Sequence, residues 1–199
     1  GNWVPSPCGN SPGQSNCASL PPNVSAEVLI AINEVMANPL NETTGEFIEL
    51  YNFGNAPVEL GGMVLSDGDT TDVIAGWQGG STSIAAGQYA VIIDPDYDGA
   101  YPIATGALWL TVATSSTLGN GLAVNDPISL LDPSGYVLID TYTHTLNGGN
   151  GVSSEKVEAT IGDIAPNFTA STCLDGHSAG RINCATLDGT DPISGATLA

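Results

Sequence analysis

The chain has 199 residues, 42% of them hydrophobic, and carries 21 acidic side chains against two basic ones, for a formal net charge of -19. Phosphate backbones are gripped through Lys and Arg, so this balance excludes nucleic acid as a partner and disfavours an anionic membrane surface. No run approaches the roughly 18 apolar residues of a membrane helix, and total charge is only 12%, unlike a disordered acidic tail.

Residues 1–27, GNWVPSPCGNSPGQSNCASLPPNVSAE, are rich in Pro, Ser, Asn and Gly. They read as an extended arm that cannot form a core, with Trp3 and Val4 as an apolar pair suited to docking on a neighbouring copy. The chain starts at Gly1 without a basic-plus-apolar leader, which fits a processed protein or a trimmed one.

The body, residues 28–184, alternates short apolar runs with turns. Strands are expected at 28–36, 46–52, 58–66, 71–75, 88–94, 107–112, 127–132 and 136–143, with a weaker one at 152–158. Their spacing near ten residues, with Gly, Pro and Asn between, predicts an all-β sandwich. No segment shows helical periodicity. Alternation places Glu46, Ile48 and Leu50 on one face of a strand and Phe47, Glu49 and Tyr51 on the other. Neither face is purely polar, so this strand is expected inside the sandwich. Residues 185–199 trail behind as a loose tail or one more strand.

The motifs carry a resemblance. INEVMANP, GEFIELYNFG and VELGGMVLSDG, then Gly87–Asp94, then the hairpin DPISLLDPSGYVLID, then GVSSEK and SAGRIN follow one another in order. This series resembles the lamin tail domain family, an immunoglobulin-like β-sandwich found in nuclear lamins and in many secreted bacterial proteins. The resemblance implies the fold. It leaves the role open, because this fold serves binding and structural ends alike.

Four cysteines lie in the flanks: Cys8, Cys17, Cys173 and Cys184. Outside the cell an even count predicts two disulfides, with three possible connectivities. The local pairing, Cys8 with Cys17 and Cys173 with Cys184, is the expected one. Zinc competes poorly, since no C-x-x-C spacing occurs.

Asp94, Asp96 and Asp98 followed by Gly99 resemble a calcium loop in having carboxylates at alternate positions. The pattern departs from the EF-hand, because Thr105 stands where a bidentate Glu belongs. Asp67, Asp69 and Asp72 form a weaker candidate, and a solvated acidic turn is the plainer reading of both. The two cations, Lys156 and Arg181, fall within the resembling segments. Each is expected to pair with a core carboxylate, for example Arg181 with Glu46 or Glu49. Sequons at Asn23, Asn41 and Asn167 mark glycosylation candidates.

Catalysis finds no motif: neither G-x-S-x-G nor H-E-x-x-H is present, and Glu46 and Glu49 face opposite ways. The expectation is therefore a non-enzymatic, extracellular or cell-surface structural subunit. It would assemble with copies of itself through its arms, with no membrane insertion. The alternative is a binding module for a glycan or cell-wall component, with calcium as its cofactor, or the anchor of a larger secreted protein. Trp77, Trp109 and Tyr97 would then offer stacking faces, although core packing is the simpler use for them.

Overall fold

The structure, a computed structural model, describes residues 28–186 apart from Thr114 and Thr145. The expected arm, the Cys8–Cys17 pairing, Asn23 and nearly all of the tail lie outside the described residues.

The first strands are β1 (Ile30–Met36), β2 (Phe47–Asn52), β3 (Val58–Glu59), β4 (Val64–Ser66), β5 (Thr71–Gly76) and β6 (Ser83–Ile84). They are followed by β7 (Tyr89–Ile93), β8 (Leu108–Val112), β9 (Ile128–Leu131), β10 (Leu138–Tyr142), β11 (Ser154–Lys156) and β12 (Phe168–Ala170). Ten form one sheet in the order β10-β9-β4-β5-β8-β7-β2-β1-β11-β12, and β3 pairs with β6 apart from it. The sheet folds over on itself, so that its two halves face each other. Ile32, Leu50, Ile92 and Leu110 from one half meet Leu65, Ile128, Leu130 and Tyr142 from the other in a single buried cluster. This is the expected immunoglobulin-like sandwich.

The expected strand at 58–66 is two strands. Met63 N–H donates to the Leu60 carbonyl at 3.1 Å, and Gly62 takes a φ of +84°. That tight turn splits the run, and β-branched residues on either side mask it in the sequence. β6 and β12, at two and three residues, are too short to show an alternation. Single 3-10 turns occur at Trp77–Gly79 and Ala165–Asn167.

The central strands are covered on both faces. β7 and β8 run parallel, so their connection must cross over rather than turn back. That connection brings Tyr97, Tyr101 and Ile103 onto the outer face. There they join Met36, Phe47, Val91, Ile93 and Ala179 in a second apolar cluster. Trp77 and Trp109 pack edge-on against Tyr97 in the same layer. The aromatic side chains considered as stacking faces therefore pack against one another. No helix among the described residues is long and apolar enough to cross a membrane.

Candidate functional site

A β-bulge in β1 builds the most unusual site. The pairing register with β2 shifts between Ile32 and Glu34. A bulge places two successive side chains on one face, so Asn33 and Glu34 both point to the outer layer. Glu49 of β2 and Glu155 of β11 are the register partners of Glu34. All three glutamates are fully buried.

Residues 171–186 cross over this group as a strap. The strap is closed by the Cys173–Cys184 disulfide, the expected local pairing. Its backbone amides supply the donors. Ser178 N–H donates to Glu34 Oε1 at 2.8 Å, Gly180 N–H to Glu49 Oε2 at 2.6 Å, and Ala185 N–H to Glu155 Oε2 at 2.8 Å. Gly180 has a φ of +84° and lies so close to Ala107 that a Cβ would stand 2.8 Å from that side chain. Only glycine fits there without strain.

Asn183 ties the strap to the sheet. Its Nδ2 donates to the Asn33 carbonyl at 3.0 Å and to the Lys156 carbonyl at 2.8 Å, while its Oδ1 accepts from Asn33 Nδ2 at 2.7 Å. Asn33 Nδ2 also donates to Glu49 Oε1 at 2.7 Å. Burial raises the Glu34 carboxyl to about 7, helped by the Glu155 charge and opposed by the donors from Ser153 and Ser178. Burial and the Glu34 charge raise Glu49 well above its ordinary value.

Neither cation neutralises the three. Lys156 Nζ lies 2.9 Å from Asp140 Oδ2. This is a core ion pair, but with a carboxylate of the β9–β10 hairpin. The Arg181 guanidinium faces the His177 carbonyl at 3.5 Å and Cys173 Sγ at 3.9 Å. It makes no ion pair with Glu46 or Glu49 among the described residues. The expected pairing of Arg181 with either glutamate is thus not formed, because backbone amides already occupy both carboxylates.

Glu46 stands at the other end of β2, where a second group of carboxylates holds the loop before β9. Leu122 N–H donates to Glu46 Oε1 at 3.0 Å, Gly119 N–H to Asp72 Oδ2 at 2.6 Å, and Asn120 N–H to Asp67 Oδ2 at 3.3 Å. Asp94 accepts from the backbone of Leu118 and Asp96. Burial raises Glu46 to about 7 and lifts Asp72 and Asp94, whereas Thr70 and Asp69 donors hold Asp67 low despite its burial.

These contacts bear on the calcium candidates. Asp94, Asp67 and Asp72 are buried and turned to backbone amides, while Asp96, Asp98 and Asp69 are exposed. Among the described residues, one set of three His, Cys, Asp or Glu ligand atoms lies within 4.8 Å: Glu155, Cys173 and Cys184. Two of those are the disulfide, so that set is not a thiolate metal site. Neither aspartate triplet converges in this way. Asn41 is exposed in a turn, whereas Asn167 is buried and its Nδ2 donates to the Glu158 and Ile161 carbonyls at 3.0 Å. A glycan on Asn167 would have to break that cap.

The lamin tail domain model matches residues 23–145. The chain belongs to the lamin tail domain family. That family is a non-enzymatic immunoglobulin-like domain. The match ends before β11 and the strap, so Glu155, Ser178 and Asn183 lie beyond it. Among curated proteins, none matches the chain.

Proposed function

We propose that the protein is a non-catalytic structural subunit, exposed outside the cell, that associates with copies of itself. One observation carries this reading. At the β9–β10 turn Tyr136, Val137 and Leu138 are 90%, 57% and 55% exposed. Three consecutive apolar side chains standing out from a strongly anionic surface support a contact there. The Cys173–Cys184 disulfide suits an oxidising compartment. The two arms seen in the sequence would add reach to such contacts.

The test replaces Tyr136, Val137 and Leu138 together with serine. These side chains are exposed, so the fold should survive, with an unchanged melting temperature. Association measured by sedimentation should fall. Unaltered association would move the contact to the arms. A monomer from the start, calcium present or absent, would favour the glycan-binding module instead.

A further inference from the structure

Ser178 Oγ lies among three acceptors. Glu34 Oε2 is 2.9 Å away, Glu155 Oε1 3.0 Å and Asn183 Oδ1 3.2 Å. A hydroxyl carries one proton, so it can donate to only one of them. The Asn183 amide cannot turn to help, because its Nδ2 is committed to two carbonyls. Were Glu34 and Glu155 both ionised, one of them would face an oxygen lone pair with no hydrogen between, in a site closed to water. Glu34 Oε1 already accepts from Ser178 N–H and from Ser153 Oγ at 2.5 Å. The missing hydrogen therefore belongs on one of the two facing oxygens, Glu34 Oε2 or Glu155 Oε1, and the raised Glu34 carboxyl places it on Glu34.

We propose that Glu34 and Glu155 share one proton through the Ser178 hydroxyl, and that this proton holds the strap of residues 171–186 against the sheet. The chain runs from the Glu34 carboxyl to Ser178 Oγ and from Ser178 O–H to Glu155 Oε1. Loss of the proton places two anions on either side of a single hydroxyl, with Glu49 behind them. Among the described residues no cation forms an ion pair with these carboxylates. On β11, Lys156 is engaged by Asp140; on the strap, Arg181 faces a carbonyl and the disulfide, and Asp175 adds negative charge beside His177. Tyr101, Tyr142 and Tyr89 stay neutral because burial pushes them up, with Tyr97, Asp94 and Glu34 adding to it at Tyr101, Glu34 and Glu155 at Tyr142, and Glu49 at Tyr89. The strap is the element that can give way. The sheet strands are held by continuous ladders, whereas the strap is held by these carboxylates, Asn183, the disulfide and three scattered backbone hydrogen bonds, Ser171 N–H to the Ser153 carbonyl, Ser153 N–H to the Gly176 carbonyl and Ala104 N–H to the Ala179 carbonyl.

Strap release has a consequence for the surface. Ala179 belongs to the outer apolar cluster, and the His177 ring meets Phe47 and Tyr101 at 5.9 and 5.4 Å between centroids. Loosening the strap uncovers part of that layer. A proton thus controls access to a second apolar face.

Amide hydrogen exchange on the full chain tests the idea, after correction for the intrinsic pH dependence of exchange. Protection at Ser178, Gly180 and Ala185 should fall by about tenfold or more between about pH 6 and pH 9, while β2 and β7 amides stay protected. Glu34→Gln supplies a permanent donor in place of the carboxyl proton and should flatten that profile. Equal protection at both pH values in the wild type, or an unchanged profile in the variant, would overturn the proposal. If Glu34→Gln does not fold, infrared spectroscopy of the wild type decides. A buried protonated carboxyl band should be present at the lower pH and lost at the higher, and its absence at the lower pH would sink the idea.

Discussion

Lys156 Nζ lies 2.9 Å from Asp140 Oδ2 and bridges two strands that share no backbone ladder. Asp140 Oδ2 also accepts the Ile32 N–H at 2.7 Å, and one step along Tyr142 O–H donates to Ser154 Oγ at 2.8 Å. Side chains thus close the sandwich where β10 meets β1 and β11. The Lys156 side chain is almost wholly buried, and its ammonium lies 6.0 Å from the Phe168 ring centroid.

Lys156→Met should destabilise the fold by about 3 kcal/mol, because a partly buried carboxylate loses its cation partner. Urea unfolding measures this. A loss below about 1 kcal/mol would mean that water screens the pair as it does at a surface.

Asn183→Ala removes both donors to the Asn33 and Lys156 carbonyls, and the acceptor for Asn33. Leaving such groups buried and unsatisfied costs about 1–3 kcal/mol each. A total loss of about 3 kcal/mol is expected in chemical unfolding, with exchange rising first at strap amides. A near-neutral result would show the strap to be held by other means.

Stability should fall as pH rises from about 4.5 to 7. Glu34 and Glu46 are both raised from 4.5 to about 7, and Glu49 is raised well above its ordinary value in the same direction. In that window the folded state binds more protons than the unfolded one, so acidification favours folding. Glu34 alone contributes on the order of 3 kcal/mol. Asp67, held low, acts oppositely, and its contribution is lost only as pH falls below the ordinary carboxylate range. Melting temperatures across this range should therefore be higher on the acid side. A rise toward alkaline pH would contradict the raised carboxyls.

Removing the Cys173–Cys184 bridge by replacing both residues with serine should cost about 3 kcal/mol, from the loop entropy of an 11-residue separation. Circular dichroism should still report a β-sandwich, since the sheet does not depend on the bridge. Collapse of the whole fold would show that the strap is needed for folding rather than added to it.

Much of this fold was legible in the sequence. The alternation in FIELY, the turn residues and the ordered motifs pointed to the sandwich, and Cys173 and Cys184 to their bridge. The buried site was less so. Period-two counting assigns Asn33 and Glu34 to opposite faces, and only the bulge brings them together. The contact from Asn33 to Asn183 spans 150 positions, and local pattern carries no signal over that distance. The ion pairing went astray for a related reason. Arg181 sits near Glu49, but the amide of its neighbour Gly180 reaches that carboxylate first. The carboxylates around Asp67, Asp72 and Asp94 read as cation ligands, yet in the fold they accept backbone N–H groups of a loop far along the chain.

On the proposed reading, copies of this chain associate. Light scattering of the native protein at physiological salt, with calcium and again after chelation, tests it most directly. Self-repulsion from the net charge of -19 should weaken as salt screens it, so particles should be large and grow further with added salt. Collapse on chelation would add calcium to the contacts. A monomer of about 20.1 kDa under every condition would contradict the account.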